Sequence, residues 1–364
     1  MIAASAAGAA VSERGDPDEL IALMRAAIAR CALDLCGVGV LTEAASGAYV
    51  VTPVLAAMAG AGPVLALARP SRYGSVDEVA RVTMDLARRA GVAQRVTVIA
   101  DQSAERVGQA DIITNSGHVR PIDAAMIGAM RPSAVIPLMY EAWELRSVDV
   151  DVAACRRRAI AVAGTNERHP AVDVFAFLGR MAAQLLADAG IDVRGSRILA
   201  GCDNPFAAPL VEQLGRAGAL VACVDRFDDI VERTPIDVVL VAMQPRTAAA
   251  VADREAGILA RWCPGALVAQ FWGDLDRTAL ARAGLPFWPA VAPRPGHQAI
   301  LPSSVGPEPV VRLQSGGLKV GQVMAAARRG RPGIASHDEA IAAAIASGFG
   351  QALPTPPSPD DAVR

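Results

Sequence analysis

GVGVLTEAASGAYVVTPVLAAMAGAGPVLALAR, residues 37–69, carries no charged side chain between Glu43 and Arg69 and is long enough to cross a bilayer. Its internal punctuation points to a different structure. GVGVLTE (37–43) reads as a buried strand, and AASGAY (44–49) as a loop. Thr52 and Pro53 open a helix, Gly60 and Gly62 close it, and PVLALAR (63–69) is the next strand. Parallel neighbours in a sheet need a crossover of this kind, so the stretch is a βαβ unit.

The same rhythm continues in both directions. Upstream, LIALMRAAIARC (20–31) has helical spacing, and residues 1–18 read as a disordered end. Downstream, Ser75 and Glu78 have capping-box spacing for a helix that Gly91 ends. Strands follow at VTVIA (96–100), DIIT (111–114), AVIPL (134–138) and AIAVAG (159–164), with helices at 121–130 and 148–158. Asp173 to Ala189 reads as a long apolar bridging helix. A second series then begins: RILAG (197–201), ALVACVD (219–225), DVVLVAM (237–243), ALVAQFW (266–272) and a strand near Phe287–Val291. Helices near 205–217, 247–261 and 276–283 lie between them.

The fold class is therefore α/β, with two doubly wound parallel-sheet domains of Rossmann or flavodoxin type and a cleft between them. The first domain takes residues 19–172 and 311–348, 173–190 is the interdomain helix, and 191–310 is the Rossmann-like domain. Residues 289–310 hold six prolines and read as an ordered loop of the lid type. Residues 316–329 return to helix, 336–347 form a weak helix, and 349–364 are a disordered tail.

Composition limits the chemistry. A net charge of −2 gives no reason to expect nucleic acid or an anionic membrane as partner. Lys319 is the only lysine, so Schiff-base chemistry would have to use it. The six cysteines form no CxxC pair and read as thiols of a reducing, cytoplasmic compartment. The four histidines have no metal-ligand spacing, so no metal is expected.

From residue 110 to 285 the chain resembles the D-2-hydroxyacid dehydrogenase superfamily. VDVDVAACRRRAIAVAGTNERHPAVDVFAFLGRMAAQLL is similar to the segment before that family's cofactor domain. VRGSRILAGCDNPFAAPLVEQLGRAGALVACVDR is similar to its cofactor-binding βαβ unit, and CPGALVAQFWGDLDRTAL to its strand, turn and helix bearing a catalytic arginine. The resemblance implies NAD or NADP bound by Gly201, Cys202, Asp203, Asn204, Pro205, Asp225, Arg226, Gln244 and Trp272. The family's G-x-G-x-x-G falls on Cys202, Asn204 and Ala207, and its arginine on Trp272. A homodimer is expected by analogy with the architecture.

Ligands bind beyond the carboxyl ends of parallel strands, which nominates further residues. His118, His297, Arg294 and Glu141 are the candidate catalytic groups, with Arg294 or Arg146 as anion clamp. Asn115, Ser116, Trp143, Arg146 and Asn166 are the candidate substrate contacts, and an acidic, aromatic loop around Glu141 and Trp143 suits a cationic or amine-bearing substrate. Glu43, Ser46, Tyr140, Glu167, Arg168, His169 and Asp274 also stand at strand ends. A rival cofactor site is TEAASGAY (42–49), which faintly resembles the phosphate loop of short-chain dehydrogenases at Gly47. Arg69, Pro70, Ser71 and Arg72 after the second strand suit the 2′-phosphate of NADP. The leading expectation is an NAD(P)-dependent oxidoreductase of a small polar metabolite. The alternatives are a non-redox lyase or ligase-like enzyme and a catalytically silent binding protein.

Overall fold

The computed structural model of the chain describes residues 16–71, 74–230, 235–329 and 334–354. The described residues form two compact units, one from the stretches up to 174 and from 306 onward, the other from 175–305. In the first unit, helix α1 (Pro17–Cys31) starts three residues earlier than its apolar spacing suggests, because the Asp16 carboxylate accepts the Asp18 N–H at 3.1 Å and Pro17 suits a first turn. Strand β1 (Val40–Glu43), a 3-10 turn (Gly47–Val50), helix α2 (Val51–Met58) and strand β2 (Val64–Leu67) follow. Every residue of α2 from Val51 to Ala57 is buried. It lies on β1 and β2 with α1 and α3 (Val76–Arg89) around it, so the charge-free stretch is a central helix enclosed on all sides. The Ser75–Glu78 capping box opens α3.

Strand β3 (Val96–Ile99), helix α4 (Ala104–Val107), strand β4 (Ile112–Ile113), helix α5 (Ala124–Ala129), strand β5 (Val135–Pro137), helix α6 (Val152–Arg158) and strand β6 (Ala161–Thr165) complete the parallel series. In the second unit, a 3-10 turn (Phe175–Phe177) leads into helix α7 (Leu178–Asp188), shorter than the helix read over 173–189 because Asp173 has φ +46°. Strand β7 (Arg197–Gly201), helix α8 (Ala207–Arg216), strands β8 (Leu220–Val224) and β9 (Val238–Ala242), helix α9 (Asp253–Trp262), strand β10 (Leu267–Trp272), helix α10 (Arg277–Arg282) and strand β11 (Phe287–Trp288) make up the rest of this unit.

The chain then re-enters the first unit through helix α11 (Glu308–Arg328), helix α12 (Ile334–Ala346) and strand β12 (Gly350–Gln351). Helix α11 begins eight residues before the expected start at 316, because Pro309 lies in the first turn, where its missing N–H costs no bond. Residues 349–351, read as tail, pair instead with β6 in antiparallel fashion, and Phe349 is buried. The rest of the expected tail beyond 354, and most of the expected disordered start, lie outside the described residues.

The first sheet has the order β12-β6-β5-β4-β1-β2-β3 and the second β11-β10-β9-β7-β8. All pairings between these strands are parallel except that of β12. The first six strands of the first sheet thus run 3-2-1-4-5-6, the arrangement of dinucleotide-binding sheets, while the five of the second run 2-1-3-4-5. In both, the direction of strand addition reverses beside the first strand.

Gly164 in β6 meets the β5–α6 loop closely: a Cβ there would stand 2.4 Å from the Ala142 nitrogen. Backbone cannot swing aside as a side chain can, so Gly164→Ala should cost about 1–3 kcal/mol. Urea unfolding should show the loss as a lower midpoint with an unchanged slope.

Candidate functional site

The reversal in the first unit lies between β1 and β4, and polar residues collect there. Glu43 ends β1 with its side chain buried, and its Oε2 accepts the His118 N–H at 3.2 Å. Burial pushes the Glu43 carboxyl up, against the opposing pull of that hydrogen bond. The carboxyl occupies the volume a side chain at 117 would need, since a Gly117 Cβ would fall 1.9 Å from Oε2. Ser116 Oγ donates to Thr114 Oγ1 at 2.9 Å, which donates to Thr42 Oγ1 at 2.8 Å. Asn115 is buried; its Oδ1 accepts the Met139 N–H at 2.8 Å, while its Nδ2 makes no hydrogen bond. An unmet buried amide donor costs free energy unless a ligand or water completes it.

Loops after β1 and β2 approach the same edge. Ser46 and Gly47 turn the chain into α2, with Gly47 at φ +60° and open space where its Cβ would be. Burial, and then the charge of Arg69 beyond β2, hold the His118 imidazole below its ordinary value, so it is neutral near pH 7. Arg72 lies outside the described residues.

Farther along the edge, the loops after β5 and β6 bring three glutamates together. Glu141 is fully buried, takes the Trp143 indole N–H on Oε2 and the Arg168 Nε–H on Oε1 at 3.3 Å. Burial, reinforced by Glu141, pushes the Glu144 carboxyl up to about 8. Burial, reinforced by Glu144 and Glu141, raises Glu167 well above the carboxylate range. Three carboxylates cannot all ionise in such a space, so the cluster holds protons at neutral pH. Glu144 was not among the sequence candidates; a glutamate in the 3-10 turn Ala142–Glu144 carries no signal of its own.

Other first-unit candidates are tied to structure. Arg146 makes two 3.0 Å bonds to the carboxylate of buried Asp149, which also accepts the Tyr140 hydroxyl at 2.7 Å. The Asn166 amide donates to Gly348 O at 2.8 Å and fastens β12. The His169 ring stacks on Phe349 with centroids 3.8 Å apart.

In the second unit the β7–α8 turn is closed on itself. Asn204 Nδ2 donates to Ala242 O at 2.6 Å, and its Oδ1 accepts the Phe206 N–H at 3.1 Å. The Ala207 N–H goes to Asn204 O, and Pro209 has no N–H to offer. Asp203 accepts the Gln244 N–H at 2.7 Å and pairs with Arg246 at 2.8 Å. A Cβ on Gly201 would stand 2.5 Å from the Phe227 ring, so that ring fills the approach to the backbone. Cys202 is buried, and burial pushes its thiol up to about 12. These residues suit a pyrophosphate poorly: the Phe206 and Ala207 N–H groups are taken, and the Asp203 carboxylate stands beside them.

Trp272 is buried against Phe206, and its indole N–H donates to Gly296 O at 3.2 Å. Pro205 and Asp225 are exposed, and Arg226 pairs with Asp228 at 3.3 Å. Asp274 accepts the Gly296 N–H at 3.2 Å, which shapes the loop carrying Arg294 and His297; the His297 Nδ1 lies 3.1 Å from Pro295 O. Among the described residues, no three His, Cys, Asp or Glu side chains are grouped as metal ligands, and no helix is long and apolar enough to cross a membrane.

The carboxyl cluster generates a pH test. Unfolded, Glu144 titrates at about 4.3. Its raised folded value means that the protonated form favours folding, a contribution whole below the unfolded value and lost as pH climbs through the folded one. Glu144→Gln stays neutral throughout, so its melting temperature should rise relative to the wild type between about pH 5 and about pH 8.5. Parallel melting curves across that range would contradict the assignment.

No family model matches the chain, and no curated protein matches it. Solved structures do. A dipicolinate synthase chain from Bacillus subtilis superposes with a TM-score of 0.50 at 9% identity, over 79% of this chain and 96% of that one. The corresponding dipicolinate synthase chain from Bacillus halodurans gives 0.48 at 11%, over 78% and 96%. The NAD+-bound 3-phosphoglycerate dehydrogenase of Entamoeba histolytica gives 0.44 at 14%, over 71% and 93%. At such identities the likeness is one of fold alone: two α/β units built like those of the Bacillus subtilis chain.

Proposed function

We propose that the chain is an NAD- or NADP-dependent oxidoreductase of a small polar metabolite, with the dinucleotide at the carboxyl edge of the first unit's sheet. The observation that carries this reading is the strand order 3-2-1-4-5-6, which is found in that unit and not in the other. Residues at its reversal fit the group. Gly47 leaves backbone open for a close approach, burial raises the Glu43 carboxyl and so weakens its hold on charge, and the unmet Asn115 Nδ2 supplies a donor. Arg69 and Ser71 stand after the second strand, where a cation selects the 2′-phosphate of NADP. This reading departs from the expectation drawn from Asp225, beside which the Asn204 and Asp203 side chains bond across the turn.

When bound, the nicotinamide ring accepts or donates the hydride. The chain's own part is to hold the substrate and move a proton. His118, neutral near pH 7, takes the proton that a hydroxyl releases as its carbon is oxidised. Glu144 and Glu167 share protons beside Glu141 and suit a substrate that bears an amine. The closed turn in the second unit favours a second reading, a non-redox enzyme on the same scaffold.

Calorimetric titration separates these. NADPH should bind the wild type, bind Arg69→Ala at least about tenfold more weakly, a loss of about 1.4 kcal/mol, and bind Asp225→Ala unchanged. The reverse pattern would place the cofactor in the second unit. Absence of binding by every nicotinamide cofactor would end the oxidoreductase reading.

A further inference from the structure

Helix α11 crosses the first sheet from one edge to the other. A Cβ built on Gly321 would stand 2.9 Å from Ile112 Cγ2 in β4 and 3.1 Å from Pro137 Cγ in β5, so this face of the helix lies on the sheet. Two turns later the same face carries Arg328, whose Nη2 donates to Pro132 O, ahead of β5. Arg328 therefore lies at the amino edge of the sheet, the edge opposite to that of Glu43, Asn115 and His118.

Arg328 is 0% exposed, yet its Nε and Nη1 have no hydrogen-bond partner. Burial pulls the guanidinium below its ordinary value, and no neighbouring charge opposes that pull. Among the described residues, no carboxylate pairs with it. A lysine here could shed its proton, but an arginine stays charged. Water would meet the two donors and leave the charge. The carboxyl end of α11, in whose last turn Arg328 lies, offers about half an elementary charge. A buried cation so little compensated is costly unless an anion joins it.

The surroundings add positive charge. Arg158, at the end of α6 on the other face of the sheet, donates Nη2 to Met130 O at 3.1 Å. Arg131 donates Nε and Nη2 to Gly108 O at 3.1 and 3.0 Å. Three guanidiniums thus meet the turn from Met130 to Pro132. Among the described residues, only Arg131 of the three is ion-paired, with Asp111 at 2.6 Å. Pro132 itself is exposed, so the turn is open to ions from solvent.

We infer that Arg328 anchors an anion site at the amino edge of the first sheet, which takes a small oxyanion: inorganic phosphate or the carboxylate of a small acid. Either supplies a full negative charge and more than one acceptor oxygen, the two things that Arg328 lacks. Arg158, exposed on the same turn, draws the anion in.

Calorimetric titration of the full chain with inorganic phosphate, and separately with acetate, at fixed ionic strength tests this. Binding of phosphate alone names a phosphate ligand, and binding of acetate a carboxylate. Arg328→Met keeps an apolar stem and removes the charge, and should weaken the binding at least tenfold. Phosphate should also raise the melting temperature of the wild type more than that of Arg328→Met, since general salt effects act on both alike. Should the variant fail to fold, wild-type crystals soaked in tungstate decide the matter, with anomalous density expected beside Arg328. Failure of both anions to bind, an isotherm that Arg328→Met leaves unchanged, or tungstate found only elsewhere overturns the inference. Arg69→Ala should leave the phosphate isotherm as it is, so phosphate held at the proposed cofactor edge is told apart from phosphate held here.

Discussion

A parallel sheet cannot reverse the direction in which strands are added without opening a gap between the two loops that leave its central strands. In the first unit that constraint falls on β1 and β4. The loop after β1 runs to one side of the sheet and the loop after β4 to the other, so neither covers the ends of the strands between them. Glu43, Asn115 and Ser116 reach that edge because their strands end there. The rest of the account follows from this placement, including the approach of Arg69 and His118 from either side.

Burial then sets the chemistry of what the fold delivers. A carboxyl removed from water keeps its proton unless cations compensate, and at Glu144 burial outweighs the pull of Arg146. Arg168 and the Trp143 indole bind Glu141, and burial raises the carboxyls of Glu144 and Glu167. The result is a buried acidic cluster in which Glu144 and Glu167 favour their protonated forms. The second unit shows the opposite economy at its β7–α8 turn, where Asn204, Asp203 and Phe206 answer one another's hydrogen-bonding needs.

Much of the fold was legible in the residue pattern. The charge-free run at 44–68 had to be a buried helix between strands, because Pro53, Gly60, Gly62 and Pro63 forbid one continuous span. All six parallel strands of the first sheet lie where alternating breakers and apolar runs put them. Strand order was not legible, because the sequence of strands says nothing about which neighbours pair. That is why Asp225, correctly placed after a second strand, drew attention to a turn that its own side chains close. Helix α11 started earlier than read because proline at a first turn looks like a loop, and β12 was hidden in a Gly- and Pro-rich end. The candidate site was legible at Glu43, His118, Glu141 and Glu167 as strand-end residues. The shifts at Glu43, His118 and Glu167 were not, since they depend on neighbours from other loops.

A crystal structure of the chain with NADP+ bears most directly on the central claim. The account predicts phosphate density beside residues 44–47, with Arg69 at the 2′-phosphate. Phosphates at residues 201–206, or a first unit left empty while the ligand binds elsewhere, would contradict it.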